Sequence, residues 1–151
     1  MLSELLSTER VRVPLGSHSK AELFRELVGL ALGAADRETE RGVVSAVEAR
    51  ELQGSTAMGG GLAVAHGRTD LVAELRLSAG IVRGVPDYRG PDGTPVSVAF
   101  LVLTPQLDMG KHVKVLARVA RLMHSVSTRA ALLSSQTAEE FLAAVRQSEP
   151  A

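Results

Sequence analysis

A long apolar run in the second half of the chain constrains the fold more than any other feature. It covers residues 95–103, and most of its members are valine, leucine or phenylalanine with few polar residues between them. Strands that are buried on both faces have this near-continuous apolar pattern, whereas half-exposed strands alternate. The run therefore predicts the central strand of a sheet, which Thr104 and Pro105 end.

Two other segments also have strand patterns. Residues 62–65 form a short apolar run that ends at His66 and Gly67, which predicts a buried strand opening into a loop. Residues 72–82 are rich in β-compatible residues and alternate in part, which predicts one strand or two. Residues 84–93 contain two prolines and an Asp-Gly pair, so we expect them to turn the chain back as a hairpin or a longer loop.

Helix signals come before these strands. Ser19 and Glu22 have the spacing of a capping box, in which each side chain satisfies a free backbone N–H at a helix start. Apolar residues then recur at helical spacing as far as Gly33, a candidate helix terminator. Residues 39–50 predict a second helix, and the glycine-rich stretch of residues 53–61 follows it as a break.

A further helix is predicted over residues 109–124, with Asp108 as its N-cap. It has an apolar set and a basic set at similar spacing. The two sets are displaced by two residues, about 200° around the helix, so we expect the apolar set in the core and the basic set in solvent. The apolar set is Val113, Leu116, Ala120 and Met123, and the basic set is Lys111, Lys114, Arg118 and Arg121.

The end of the chain predicts two more helices. Residues 128–133 suit a short one, and Thr137 and Glu140 form a second capping box that begins the last. Helices at both ends with strands between them predict an α/β fold. No repeat, charge block or low-complexity segment interrupts the sequence, so we expect residues 1–151 to form a single domain.

Composition limits the possible functions. Lys+Arg and Asp+Glu both total 17, so the net charge provides no general attraction to nucleic acid or to an acidic membrane. Aromatic residues are only 3%, too few for base-stacking platforms, and we expect no nucleic-acid partner. The absence of Cys excludes disulfides and thiolate sites. Without a basic leader or an apolar stretch of roughly 20 residues, we expect a cytoplasmic protein.

Several common kinds of site have little support. No two of the four histidines, at positions 18, 66, 112 and 124, have the i, i+3 or i+4 spacing of helical metal ligands, so we expect no metal. The glycines at 59–61 lack the Lys-Ser/Thr of a phosphate-binding P-loop and do not complete G-x-G-x-x-G. Ser55 is not in a G-x-S-x-G nucleophile elbow. We expect no cofactor.

Three residues have positions that suit phosphate chemistry. His66 follows a buried strand, and a neutral imidazole is a good nucleophile near neutral pH. His112 is near a helix start, where the helix dipole favours a neutral ring that can donate to an anion. Arg50 ends a helix beside a Gly/Ser/Thr loop, where its planar head can bind phosphate oxygens. From the sequence pattern alone, a structural or exposed role fits His66 at least as well. The pattern favours an ordinary surface role for His112 and a helix-terminal charge for Arg50.

The segments around these residues carry a family resemblance. Residues 50–56, Arg-Glu-Leu-Gln-Gly-Ser-Thr, and residues 61–68, Gly-Leu-Ala-Val-Ala-His-Gly-Arg, resemble the phosphoacceptor signature of the enzyme IIA domains in the fructose, mannitol and nitrogen-regulatory branch of the bacterial phosphotransferase system. Residues 95–105 and 111–121 resemble the strand and the second-histidine helix of that family. The resemblance extends over about residues 11–145.

The resemblance implies a fold and a function. It implies a central mixed β-sheet with helices on both faces. It implies that His66 takes a phosphoryl group from an HPr-like phosphohistidine donor, that His112 is the second active-site histidine, and that Arg50, Ser55 and Thr56 help to hold phosphate. The acceptor would be an enzyme IIB-like protein or a regulatory target, and any membrane association would come through a transporter partner.

An alternative function and two departures accompany this resemblance. The chain shows no attached transporter or enzyme IIB segment, which favours a regulatory binding module in which phosphorylation switches an interface. Ala65 replaces the proline usual before the phosphoacceptor, and so restores a backbone N–H that needs a partner. Residues 108–110, Asp-Met-Gly, replace the small and proline residues usual before the second histidine, which leaves the aim of His112 open.

Overall fold

A computed structural model describes residues 1–150 and shows one five-stranded mixed sheet. The strand order across the sheet is β1-β4-β5-β3-β2. Strand β1 is parallel to β4, β4 is antiparallel to β5, β5 is parallel to β3, and β3 is antiparallel to β2. The strands are β1 (Val11–Arg12), β2 (Ala57–Gly59), β3 (Leu62–Arg68), β4 (Arg76–Ile81) and β5 (Val98–Thr104).

Helices cover both faces of this sheet, and two separate apolar cores lie between the layers. Helices α2 (Lys20–Leu32) and α3 (Arg37–Leu52) pack on one face. The opposite face is covered by α1 (Leu2–Leu5), α4 (Met109–Leu122), α5 (Val126–Leu133) and α6 (Ala138–Ser148). The predicted α/β fold with helices on both faces of a mixed sheet is therefore confirmed.

The central strand β5 shows why the long apolar run fixes this arrangement. Every residue of β5 is buried. Because side chains alternate along a strand, Val98, Phe100 and Val102 enter the core under α4, whereas Ala99, Leu101 and Leu103 enter the core under α2 and α3. A half-polar strand could not occupy this position, and the prediction of a central strand is confirmed.

Several local predictions are also confirmed. Ser19 caps α2 by accepting from the N–H of Glu22, and Thr137 caps α6 by accepting from the N–H of Glu140. Gly33 ends α2 with a φ of 66°. Residues 72–82 contain the single strand β4.

One prediction about α4 is wrong. The buried residues of α4 include Val115, Val119 and Leu122, whereas Val113 is 56% exposed. The buried stripe is thus shifted from the predicted one, although Met123, just past the helix, is buried. Apolar residues occur on two sides of this helix, so their spacing alone does not determine which side faces the core. The basic residues Lys111, Lys114, Arg118 and Arg121 are all exposed, as predicted.

Short elements account for the other differences. Strands β1 and β2 and helix α1 are two, three and four residues long, too short for a periodic pattern to show. Helix α3 begins at Arg37, earlier than expected, because Asp36 caps it by accepting from the N–H of Thr39. Asp108 occupies the N-cap position of α4 without a side-chain capping bond. Within residues 1–150, no helix has the length and apolar character needed to cross a membrane.

Candidate functional site

The site lies where strands β3 and β5 end. These strands are parallel and in register, with His66 opposite Val102 and Arg68 opposite Thr104. Leu62 and Val64 enter the core under α4, so the alternation of β3 places His66 and Arg68 on that same face. The loop after β5 leads directly into α4, whose first turns carry His112. Two parallel strand ends and one helix start therefore converge at one edge of the sheet.

The hydrogen bonds of His66 define its tautomer. Nδ1 of the ring is 2.9 Å from the carbonyl oxygen of Val64, which accepts only if Nδ1 carries the proton. Nε2 is 3.1 Å from Nε of Arg50, which donates to it. Burial, with a contribution from the Arg50 charge, holds the pKa of His66 below its usual value. The ring is therefore neutral near pH 7, with its lone pair on Nε2.

His112 stands beside His66 with an edge-to-face geometry. The ring centroids are 5.2 Å apart and the planes meet at 68°. Thr104 Oγ1 makes a short hydrogen bond with Nδ1 of His112. Thr104 is fully buried, and its hydroxyl makes no other hydrogen bond within residues 1–150, so its proton is satisfied only by donation to Nδ1. The proton of the His112 ring is then on Nε2.

The electrostatic environment keeps His112 uncharged. Burial, together with the nearby His66, Arg68 and Arg50, lowers the pKa of His112 to about 4. Its side chain is only 5% exposed. At neutral pH His112 therefore has one N–H for an anion and adds no charge to the site.

The loop between α3 and β2 is held in place by hydrogen bonds to Glu51. Glu51 accepts from the N–H of Thr56 at 3.1 Å and from its hydroxyl, and forms a 2.8 Å ion pair with Lys20. Burial by itself would raise the pKa of Glu51, but the bonds from Lys20 and Thr56 outweigh it and lower the pKa. The Thr56 hydroxyl also contacts the hydroxyl of the buried Tyr88.

Ser55 and Thr56 therefore differ in what they can offer a ligand. The Thr56 hydroxyl is already engaged by Glu51 and Tyr88. Ser55 is exposed, its hydroxyl oxygen accepts from the N–H of Ala57 at 3.2 Å, and its hydroxyl is one of the donors that lower the pKa of Glu51. Of the two hydroxyls it is the one that a ligand can reach. Arg50 is held over the same loop by a 2.8 Å bond from Nη1 to the carbonyl oxygen of Gly54.

A cavity of about 240 Å³ lies beside Arg50, Ser55 and His66, and His112 is not among the residues that line it. It is large enough for a phosphoryl group, and it presents a cation, a neutral ring nitrogen and a hydroxyl. Its lining residues are Arg50, Ser55, Thr56, Met58, Val64, His66 and Leu116. In the described part of the chain, no three His, Cys, Asp or Glu side chains are grouped as a metal site would require.

The glycines at residues 59–61 have a structural role in this arrangement. All three have positive φ angles; Gly59 ends β2, and Gly60 and Gly61 form the tight turn that leads into β3. Gly67, the residue after His66, lies against α3: an added Cβ would come within 3.3 Å of Val47 Cγ2. The missing side chain lets α3 approach β3, which brings Arg50 at the end of α3 to His66.

A family model described as "Phosphoenolpyruvate-dependent sugar phosphotransferase system, EIIA 2" matches residues 4–148. The chain belongs to this enzyme IIA family. A nitrogen regulatory protein of Bradyrhizobium diazoefficiens is 32% identical to it over 139 residues, covering 91% of this chain and 90% of the relative. Both the resemblance seen in the sequence and the phosphocarrier class it implies are confirmed.

Solved enzyme IIA structures have the same fold. The nitrogen regulatory protein IIA-Ntr from Neisseria meningitidis superposes with a TM-score of 0.81 at 30% identity, covering 95% of this chain and 98% of that one. The enzyme IIA of mannitol transport in Escherichia coli, solved as a complex with phosphorylated enzyme IIB, gives a TM-score of 0.75 at 18% identity, covering 94% and 97%. The second likeness supports the fold alone.

Some residues of the candidate site were not predicted from the sequence. Thr104, Glu51 and Tyr88 position the predicted residues rather than resembling catalytic groups themselves. The sequence positions of two of them could have indicated a role in the site, because Thr104 ends the central strand and Glu51 is adjacent to Arg50. Tyr88 lies in a loop predicted only as a turn, and nothing in its local sequence indicates a contact with Thr56.

Proposed function

We propose that this chain is a phosphocarrier that accepts a phosphoryl group on Nε2 of His66. One observation carries the proposal: Nδ1 of His66 donates to the Val64 carbonyl, so the lone pair is on Nε2, the ring nitrogen that meets Arg50. The low pKa of His66 keeps that lone pair available at neutral pH. Membership of the enzyme IIA family supports the same step.

The transfer is a direct exchange between two nitrogens. The Nε2 lone pair of His66 attacks the phosphorus of a donor phosphohistidine, a new N–P bond forms, and the electron pair of the breaking N–P bond returns to the donor ring. The Nδ1–H bond to Val64 stabilises the positive charge that develops on the His66 ring. The proton on Nδ1 stays in place throughout.

Arg50, His112 and Ser55 stabilise the phosphoryl oxygens in this proposal. Arg50 gives up its bond to Nε2 and turns its planar head to two oxygens, while Nε2–H of His112 donates to a third. Ser55 contributes its exposed hydroxyl. Thr56 contributes indirectly, because its hydrogen bond to Glu51 holds the loop in place. Most of the catalysis then comes from positioning and electrostatics, as in other phosphoryl transfers.

The partners in this proposal are proteins. The donor is an HPr-like phosphocarrier, and the acceptor is an enzyme IIB-like protein of the kind solved with the mannitol relative. Exposed apolar side chains beside His112 support protein docking: Leu107 is 95% exposed, Met109 49% and Val113 56%. We place the exchange in the cytoplasm, with membrane contact only through a transporter partner.

The direct test is phosphorylation by a phosphorylated HPr-like donor. We expect one acid-labile phosphoryl group, on Nε2 of His66, detected by intact mass and ³¹P NMR. His66→Ala should take none, whereas the exposed-histidine controls His18→Ala and His124→Ala should be labelled like the wild type. A stable phosphoryl group on another residue, or none on the wild type while a relative is labelled, would contradict the proposal.

A regulatory switch is the second candidate function, and the similarity to nitrogen regulatory proteins favours it. Here the phosphoryl charge on His66 changes the binding of a transporter, kinase or transcription factor. Pull-downs with wild type, His66→Ala and the charge mimic His66→Asp test it. Recovery of a partner that depends on the residue at position 66 supports a switch, and binding indifferent to both substitutions rules it out.

A further inference from the structure

Arg68 is the one charged residue of the site to which neither the family signature nor the proposed transfer gives a role. It lies two residues after His66 on the same face of β3, opposite Thr104 of β5. Its Nη2 donates to the carbonyl oxygen of Gln106. Its Nε is buried and has no hydrogen-bond partner within residues 1–150. A buried N–H without an acceptor costs free energy. The guanidinium therefore occupies a position in which one of its own donors, the Nε–H, is left unsatisfied.

The bond to Gln106 is part of a larger connection between two segments. Three successive residues, Arg68, Thr69 and Asp70, contact Thr104 at the end of β5 and Gln106 just beyond it. Besides the Arg68 bond, the N–H of Thr69 donates to the carbonyl oxygen of Thr104 at 2.8 Å. The N–H of Gln106 donates to Asp70 Oδ1 at 3.0 Å. Gln106 is therefore held by its N–H and by its carbonyl.

This connection determines where α4 begins. The N–H of Asp108 donates to the carbonyl oxygen of Pro105 at 3.1 Å, and the N–H of His112 donates to that of Asp108 at 3.0 Å. The path from Gln106 to His112 is thus a short, hydrogen-bonded turn followed by helix. Fixing Gln106 to the end of β3 fixes the second histidine relative to the first.

We propose that Arg68 is a positioning residue, which ties the start of α4 to the end of β3 and so holds His112 against His66 in its neutral, donating form. The proposal rests on the phosphocarrier function proposed above. The Arg68 charge also favours the neutral form of His112, because it opposes a second positive charge on that ring. The other charged or titratable groups that act on this ring are His66 and Arg50.

The test combines a measurement of the two rings with a measurement of transfer. Histidine ¹⁵N–¹H NMR titration follows His66 and His112 separately and needs no phosphoryl donor. For Arg68→Gln we expect the pKa of His112 to rise, and phosphorylation of His66 to slow by about ten- to a hundredfold, as misplacement of a catalytic group does. The donor concentration for half-maximal rate should not change. Arg68→Lys should restore the titration of His112 and part of the rate.

Two further variants separate the role of the Arg68 charge from that of the hydrogen bonds that hold Gln106. Asp70→Ala removes the acceptor for the Gln106 N–H but leaves the Arg68 charge, so it should slow transfer with a smaller effect on the His112 titration. It is also the second variant should Arg68→Gln fail to fold, because Asp70 is exposed. Arg76→Gln is the matched control: it removes a partly buried arginine from strand β4, which lies on the other side of β5, and should behave as wild type.

The outcomes discriminate between this proposal and the phosphocarrier function. If the wild type accepts no phosphoryl group but Arg68→Gln still shifts the His112 titration, the proposed function fails and the positioning role stands. Wild-type titration and rate in Arg68→Gln would overturn the positioning role, as would equal losses in Arg76→Gln. Should Arg68→Gln not fold, a wild-type rate in Asp70→Ala would overturn it.

Discussion

Val64 and His66 are joined by a 2.9 Å hydrogen bond from the ring Nδ1 to the backbone carbonyl two residues earlier on the same strand. The acceptor belongs to the sheet, so it is as rigid as β3 itself. The strand thereby selects one tautomer of His66 and one orientation of its ring. No separate side chain is needed to orient His66, in contrast to His112, which depends on Thr104.

The first prediction concerns the pH dependence of stability. His112 has a pKa of about 4 in the folded chain, against 6.5 as a reference for the unfolded chain. Between these pH values the unfolded chain binds a proton that the folded ring does not, so the free energy of unfolding falls as the pH is lowered from 6.5 towards 4. The loss from this ring should reach about 3 kcal/mol.

Urea unfolding at pH 7 and pH 4.5 measures this effect. His112→Gln should lose less stability over that interval than the wild type, because the titrating ring is gone. His124→Gln serves as the control, since His124 is exposed and lies just beyond the other end of α4. An unchanged pH dependence in His112→Gln would show that the ring is not buried in its neutral form.

The second prediction concerns Arg50. Arg50→Gln removes both the donor to Nε2 of His66 and the charge that lowers the pKa of His66. We expect that pKa to rise and the initial rate of phosphorylation of His66 to fall about a hundredfold, the size of effect seen when a preorganised donor is lost. Arg41→Gln, an exposed substitution on the same helix, should leave both the titration and the rate unchanged.

The third prediction separates Thr56 from Ser55. Thr56→Val leaves the buried Tyr88 hydroxyl without its partner and removes a bond to Glu51, so it should lower the free energy of unfolding by about 1–3 kcal/mol. Ser55→Ala should change stability by less than about 0.5 kcal/mol, because the residue is exposed, and should slow phosphorylation instead.

Adding Tyr88→Phe tests the contact between the two hydroxyls. In the double variant Thr56→Val with Tyr88→Phe, neither hydroxyl is left alone, so its loss of stability should be smaller than the sum of the two single losses. Denaturant unfolding of the four proteins gives the coupling energy. Simple additivity would mean that Thr56 and Tyr88 do not interact.

The fourth prediction concerns the approach of α3 to β3. Gly67→Ala places a Cβ 3.3 Å from Val47 Cγ2 and 3.4 Å from the Val47 backbone nitrogen, so Val47 must shift by a few tenths of an ångström, and we expect α3 to shift with it. We expect a loss of about 1–3 kcal/mol of stability, as in other overpacked cores, and slower phosphorylation because Arg50 moves with α3. Gly110→Ala is the matched control.

Gly110 offers this control because a Cβ there would enter open space in the first turn of α4. That substitution should stabilise the chain by up to about 1 kcal/mol through helix propensity. Thermal unfolding and the rate of phosphorylation of the two alanine variants give the comparison. Equal effects at the two positions would exclude close packing as the role of Gly67.

Much of the fold could be predicted because its signals are local. The uninterrupted apolar run of β5 requires cover on both faces, and the Ser19 and Thr137 caps mark helix starts within a few residues. The phase of the α4 stripe could not be predicted in this way. Val113 and Val115 both suit an apolar face, and only packing against the sheet buries the second rather than the first.

The candidate site shows a similar division. Histidines at strand and helix ends could be identified as candidates, but their proximity depends on the parallel register of β3 with β5, which is non-local. The supporting contacts are harder still. Tyr88 meets Thr56 across 32 positions of sequence, and Arg68 meets Gln106 across 38. Such pairs arise only when loops from different parts of the chain are folded against each other.

The two edges of the sheet have a consequence for the phosphocarrier function proposed above. The edge strands β1 and β2 are only two and three residues long, so little unpaired backbone is presented at either side. Long exposed edges are templates for pairing with other chains and for aggregation. In that proposed function, recognition of partners is therefore left to side chains, and each complex can dissociate without separating paired strands.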